Sequence, residues 1–533
     1  MNIGVRLHTR DILGPSEGLS IMARDVRNIS KQAAKCSVLF GIAAIAASVP
    51  AGAEVLISSG ATANITCTSG VCTPTKKSAV LNASQLQSML AAGNVKVTTD
   101  GAKASDILVT AGLSWVSAST LTLDAYQSVT INKAVSVTGS GGLAVVTNDG
   151  GTGGMFSFGP KGSVAFLSLA SPLTINGNAY TLVDSVSTLA SDVTANASGN
   201  YALAGKYDAS GNSTSVQTPF QGRFEGLGNT ISHFTSAGTG KWEGLFANIA
   251  ISGVVENIRM TGFHGVRFIF NAAGGLAAVN EGLISGSSVN GEMPGIVASE
   301  GGLVGYNSGG TIVSSSASVT IALTGKVRGD DEAVLGGLVG SNWGTIESSF
   351  ATGAVSSTWQ ASLGGLVGSD YQGTIGSSYA TGSVTGIDNT SAGGLVGSTS
   401  THSVVTNSYA TGAVTVGSGN NANAGGLIGS NPGSIAGCYS TGSVSGGAGS
   451  YVGGLIGLDD TGSYSETYWD TTASGITNGS EGAGNISNDP GITGLSTSQL
   501  QARLPAGFSS TIWGENSSIN GGLPFLLTLP PPG

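Results

Sequence analysis

The chain has 533 residues, of which 87 are Gly, only 9% are charged and 40% are hydrophobic. Globular proteins usually carry roughly 25% charged residues, so an extended surface of Ser, Thr, Asn and Gly is expected, while the hydrophobic share supports a buried core and argues against wholesale disorder. The formal net charge is −10, and no Lys or Arg occurs between Gly329 and Ala502, which makes nucleic acid and anionic membrane poor partners for that half.

Residues 1–53 have the three-part pattern of a secretory signal. Arg24, Arg27, Lys31 and Lys35 form a basic stretch, Cys36 to Val49 an apolar run too short for a membrane span, and Ala51 and Ala53 the small residues before a cleavage expected after Ala53. Met22 opens the basic stretch, so residues 1–21 are either an extended leader or an over-long start. Beyond residue 53 there are 14 basic and 27 acidic side chains, a net charge near −13.

Residues 54–99 read as an N-terminal opening region. Cys67 and Cys72, in "CTSGVC", are spaced to close a small disulfide loop in an oxidising compartment, or stand as two free thiols. A helix is expected from Ser84 to Ala92, capped by Asn82 or Ser84. Residues 100–179 alternate apolar and polar side chains, as the first stacked strands of a solenoid would. Within 180–219, Leu182, Val186, Leu189 and Val193 have helical spacing and predict a side helix, and 220–273 reads as lead-in rungs.

From 274 to 474 one segment recurs. Copies begin at Gly274, Gly301, Gly336, Gly364, Gly393, Gly425 and Gly453, seven in all with a period near 30. Aligned, they give a Leu column (Leu276 to Leu455), a column of Ile284, Ile312, Ile346, Ile375, Val405, Ile435 and Tyr464, and, four residues on, a column of Ser288, Ser316, Phe350, Tyr379, Tyr409, Tyr439 and Tyr468. Strand parity places the last two on one side. A repeat this short cannot bury its own apolar face, so stacking in parallel at about 4.8 Å per rung is expected. The expected fold is all-β, a right-handed parallel β-helix with short helical insertions and a C-terminal cap, its Leu, Ile and aromatic stacks inside and its glycines at φ > 0 corners and where backbones approach closely. A propeller needs four longer strands per repeat. Residues 475–533 read as the cap and a Pro-rich tail, with a short helix starting at Ser496 or Thr497, running through Leu504 and stopped by Pro505. Cys438, inside a repeat, reads as a small buried residue.

The recurring "GGLVGxNxGxIxxSYATGxV" resembles the GLUG repeat motif of large secreted bacterial surface proteins, including filamentous-haemagglutinin-like adhesins. Flanking segments such as "FQGRFEGLGNTISHF" and "YWDTTASG" are similar to those bordering such arrays. The resemblance implies a β-helical protein that is secreted or held at the cell surface and is adhesive. It would meet a glycan or a host or matrix protein, and because no barrel-like strands are read near the C-terminus, either a separate outer-membrane secretion partner or simple release is expected.

No nucleotide or zinc motif is present, and no cofactor or metal is expected. His233, His264 and His402 are isolated by sequence and read as turn or surface residues. An enzyme reading, a carbohydrate-active β-helix, would use paired acids such as Asp459 with Asp460, or Asp330 to Glu332; neighbours in a strand diverge, so Asp459 and Asp460 would pair only on a turn. In "GKVRGDDEAV", the tripeptide Arg328, Gly329 and Asp330 falls in the 35-residue gap between the copies at Gly301 and Gly336, where it is an adhesion loop or simply a charged loop. A passive spacer fragment of a larger exoprotein system is the third reading.

Overall fold

A computed structural model describes residues 54–236, 242–265, 272–295, 299–325, 332–419 and 421–531. Arg328, Gly329 and Asp330 lie outside them. The described chain is nearly all strand, with three α-helices: α1 Ala83–Ala92, α2 Val186–Ala195 and α3 Thr497–Leu500. Its strands pair in parallel with their counterparts a turn away, which is the stacking of a β-helix and not the blades of a propeller. Parallel crossovers wind right-handed because strands twist right-handed.

The first block has three faces. Glu54–Ser58 lies between Ala79–Asn82 and Asp106–Val109, and that face continues through Val129–Ile131 to Phe156–Phe158. Leu113–Trp115, Ala134–Val137 and Ser163–Phe166 form the second. The third runs from Val71–Pro74 through Val95–Thr98, Thr120–Asp124 and Gly142–Val146 to Leu173–Ile175. Alternate residues point inward, so Val55, Ile57, Leu81, Ile107, Leu121 and Val129 meet in one core. The α1 helix begins where Asn82 Oδ1 accepts the Ser84 and Gln85 N–H groups, and it lays Leu86 and Leu90 on that core.

The blocks are welded at a hairpin. Asn176 and Gly177, both at positive φ, turn the chain so that Leu173–Ile175 pairs antiparallel with Asn178–Val183. Thr181 to Val183 then pairs in parallel with Tyr201 to Leu203, the first turn of the second block. Between them lies α2, capped by Ser185, with Val186, Leu189 and Val193 buried; Leu182 belongs to the preceding strand. Arg259 secures the junction by donating to the Gly159, Gly162 and Gly228 carbonyls.

A rung of the second block is illustrated by Ala361–Gly364, Val367–Asp370, Thr374–Gly376, Tyr379–Ala380 and Val384–Thr385, each paired with its equivalents on the next rung. The Ile column is continuous through ten positions: Tyr201, Phe224, Val255, Ile284, Ile312, Ile346, Ile375, Val405, Ile435 and Tyr464. It lines the core beside the Leu column, whose members are all fully buried. Complete burial of such a side chain contributes about 1.5–3 kcal/mol.

Two expectations are corrected. The aromatic column lies outside the solenoid. Between it and the Ile column stands a stacked corner at positive φ, formed by Asn257, Gly286, Ser314, Ser348, Ser377, Asn407, Gly437 and Glu466. That left-handed residue breaks strand parity, so Ala351, Ala380 and Ala410 turn inward while Phe350, Tyr379 and Tyr409 turn outward. Most of these corners are not glycine. The paired glycines of each repeat do serve the close approach of backbones expected of them: a Cβ on Gly365 would stand 2.1 Å from the Gly394 carbonyl oxygen.

A serine column follows the corner. Ser287, Ser315, Ser349, Ser378 and Ser408 each donate a hydroxyl to the carbonyl two residues back. Each main-chain N–H from Ser287 to Ser378 meets the next hydroxyl, and Ser408 N–H meets Cys438 Sγ at 3.4 Å. Cys438 is thus buried as a sulfur analogue within a serine ladder, and burial pushes its thiol up to about 12.

The outward rings of Phe350, Tyr379, Tyr409 and Tyr439 stack at 4.9, 4.9 and 5.1 Å. The C-terminal segment folds back over them. Ile492–Leu495 first adds a strand beside Thr467–Asp470, and Ser496 and Gln499 form a capping box at α3, which ends at Leu500, before Leu504. Leu500, Phe508, Trp513 and Leu526 then cover the tyrosines, Tyr439 Oη donates to the Pro524 carbonyl, and Tyr468 Oη to that of Ala506. The cap therefore clads the flank of the last rungs.

Candidate functional site

A second aromatic array runs along a different part of the surface and is uncovered. In the repeats at Gly336 and Gly364, the turn after the Val339–Asn342 and Val367–Asp370 strands carries Trp343 and Tyr371. Turns favour Gly, Asn, Asp and Ser, so an aromatic there is not explained by turn chemistry. The two turns stack because Trp343 N–H bonds the Asn307 carbonyl at 2.8 Å and Tyr371 N–H the Asn342 carbonyl at 2.7 Å. Their rings stack at 4.7 Å with 17° between planes, and Tyr306 lies 5.8 Å from Trp343 and 6.3 Å from Trp242. Trp343 and Tyr371 remain 38% and 39% exposed. Tyr306 is half-buried, and burial pushes its hydroxyl up to about 12. Exposed Ser308, Gln372, Thr401 and His402 supply a polar margin along the same turns.

Beneath this stripe lies a buried polar ladder. Asn280 Nδ2 donates to Asn307 Oδ1 at 2.8 Å, Asn307 to Asn342 at 2.8 Å, and Asn342 to Asp370 Oδ1 at 2.6 Å. On the next rungs Thr399 donates to Asn431 Oδ1 at 2.6 Å, Asn431 to Tyr464 Oη at 3.0 Å, and Tyr464 to Asp459 Oδ1 at 2.7 Å. From Asn280 to Asp370 and from Thr399 to Tyr464 each donor points to a later rung, and Tyr464 then donates within its own rung. Asp370 sits where a donor is required; it is fully buried, its Oδ2 has no partner, and burial raises its carboxyl to about 6.

The proposed acid pair is not assembled. Asp459 ends its strand buried, accepting from Gly462 N–H and Tyr464, whereas Asp460 is exposed in the turn. The carboxyl nearest Asp459 in chemistry is Asp489, which burial and then the Asp459 charge push up to about 6. Thirty residues separate the two in the chain, so no local spacing announced them. Glu332 is exposed, and its intended partner Asp330 lies outside the described residues.

His233 Nδ1 lies 2.9 Å from Asp208 Oδ1, which also accepts from Ser210 Oγ at 2.7 Å. The Ser210 hydroxyl first and His233 second hold that carboxyl down at about 2. Here the carboxylate bridges serine and histidine, whereas a catalytic triad places histidine in the middle. His264 pairs with Glu292 at 2.9 Å, and His402 is exposed beside Thr401. Among the described residues, no three His, Cys, Asp or Glu side chains cluster to hold a metal ion, and no helix is long and apolar enough to cross a membrane. Cys67 and Cys72 face each other across the hairpin of Ile65–Thr68 and Val71–Pro74 and are joined as a disulfide. Ser69 and Gly70, both at positive φ, make its turn.

Parallel rungs built from a recurring segment, with internal polar ladders and a C-terminal clamp, define a β-solenoid repeat protein. One stretch of that segment, residues 388–416, matches the family model of the GLUG motif. No curated protein matches the chain significantly. Among solved structures, the chain is similar to the crystal structure of a "putative immunoglobulin A1 protease" from Bacteroides ovatus, at 17% identity over 66% of this chain and 92% of that chain, with a TM-score of 0.39. A likeness that low carries no argument about activity.

Proposed function

We propose that the protein is exported and acts without catalysis as an adhesin-like surface protein, holding a rigid flank of side chains against a partner surface. The observation that carries this reading is the stripe of Trp242, Tyr306, Trp343 and Tyr371, with its last two rings exposed, on a scaffold whose other aromatic ladder is covered at Tyr379, Tyr409 and Tyr439. Exposed contiguous aromatic surface is unusual unless it meets something. Repetition along the axis adds weak contacts into avidity.

Export is supported by the signal-like residues 1–53 and by the Cys67–Cys72 disulfide, which suits an oxidising compartment. Placement at a cell surface or release through an outer-membrane partner belongs to the same proposal, as does a role for Arg328, Gly329 and Asp330 as an adhesion loop. N-terminal sequencing of the secreted product should begin at Glu54, and residues 54–533 should be retained on bacterial or host cell layers. Retention equal to that of an unrelated acidic protein refutes the adhesive role. Asp330→Glu leaving attachment unchanged removes the tripeptide from it.

A second reading is a carbohydrate-active enzyme, whose candidate acid is Asp489, buried beside Asp459 where the chain returns over the last rung. Product release from polysaccharides, abolished by Asp489→Asn, is the result that would establish it.

A further inference from the structure

We infer that the stripe from Trp242 to Tyr371 is a binding platform for an uncharged polysaccharide chain lying along the solenoid axis. The inference rests on the surface-contact reading above and names its ligand.

The four rings form one connected array with successive centroids 6.3, 5.8 and 4.7 Å apart. Trp242 and Tyr371 stand four rungs apart, and leaning of the side chains toward one another keeps the array within about 17 Å from first ring centre to last. Its end is open: Ser400 follows Tyr371 at the corresponding turn, and Tyr371 has no ring neighbour beyond Trp343 among the described residues. A pyranose presents an apolar C–H face, which packs on an aromatic ring, and a rim of hydroxyls, which needs hydrogen-bonding neighbours. The stripe offers both, through its rings and through Ser308, Gln372, Thr401 and His402.

Other ligand classes fit less well. An extended peptide would add to a sheet edge, yet the strands under the stripe are paired on both sides by the rungs above and below. An anionic chain would find no Lys or Arg from residue 332 to 501, the part of the chain that carries the two exposed rings, Trp343 and Tyr371. A membrane calls for a wider apolar surface than rings no more than 39% exposed.

Affinity electrophoresis of residues 54–533 through gels containing hydroxyethylcellulose, xyloglucan, dextran or soluble starch tests the platform, with heparin and polygalacturonate as anionic comparisons. At least one neutral polymer should retard the protein, and Trp343→Ala with Tyr371→Ala should weaken that retardation tenfold or more. Tyr371→Ala alone should weaken it about threefold, which keeps the test intact if the double variant fails to fold. Retardation by no neutral polymer, by the anionic ones only, or equally in parent and Tyr371→Ala overturns the inference. Retention on cell layers without polysaccharide retardation overturns the ligand and leaves surface contact standing; loss of both removes the two together.

Discussion

Asp370 interrupts a one-way chain of hydrogen-bond donors, and replacing it with Asn tests whether that chain stabilises the fold. Its carboxyl is raised from 3.8 to about 6 by burial. A shift of about two units corresponds to about 3 kcal/mol. Because the folded value exceeds the unfolded one, the stabilisation from the bound proton is complete below about pH 4 and is lost as pH rises through about 6. A carboxamide needs no proton to donate toward the Thr399 rung. Asp370→Asn should therefore match the parent at pH 4 and exceed its stability at pH 8 by up to about 3 kcal/mol. Urea unfolding of residues 54–533, followed by tryptophan fluorescence at both pH values, reads the difference as a shift in midpoint; the slopes must agree, because solenoids can unfold in segments. A variant no more stable than the parent at pH 8, or one whose advantage is the same at pH 4, refutes the reasoning.

Other substitutions probe the remaining ladders. Gly365→Ala places a Cβ 2.1 Å from the Gly394 carbonyl oxygen and should cost about 3 kcal/mol by urea midpoint; Leu366→Asp, which buries an unpaired charge, should cost more, and an unchanged midpoint for either contradicts the stacked rung. Cys438→Ser should fall within about 1 kcal/mol of the parent, whereas Cys438→Val, which leaves Ser408 N–H without its acceptor, should lose about 1–3 kcal/mol. Ending the chain after Leu495 uncovers Tyr379, Tyr409 and Tyr439, so dye binding to apolar surface and self-association should rise; a monomer that binds no more dye than the parent would show that the clamp covers nothing.

The register of the solenoid was legible because like residues recur: aligning the copies at their glycines, with a one-residue gap in the turn, pairs Ile346 with Ile375 and Tyr379 with Tyr409, as the strands do. The side on which the tyrosines emerge was not legible. That depends on one backbone angle at Ser348, Ser377 or Asn407, and serine and asparagine at that conformation look no different in sequence from the same residues in a strand. The asparagine ladder was present in the same alignment, since Asn280, Asn307, Asn342 and Asn431 share a column, but its meaning depends on the neighbouring rung. Trp343 and Tyr371 carried a signal of their own as aromatics in turns. Asp489 carried none, because only the return of the chain over the last rung brings it to Asp459.

The C-terminal clamp grips Tyr379, Tyr409, Tyr439 and Tyr468, a contact confined to four successive rungs. Rungs upstream are held mainly by the turn on either side. A whole copy could be duplicated or lost there with every grip at the C-terminal end preserved, changing the reach of the molecule by about 4.8 Å each time. Length is thereby separated from stability at the terminus, so that copy number alone sets how far the upstream rungs extend.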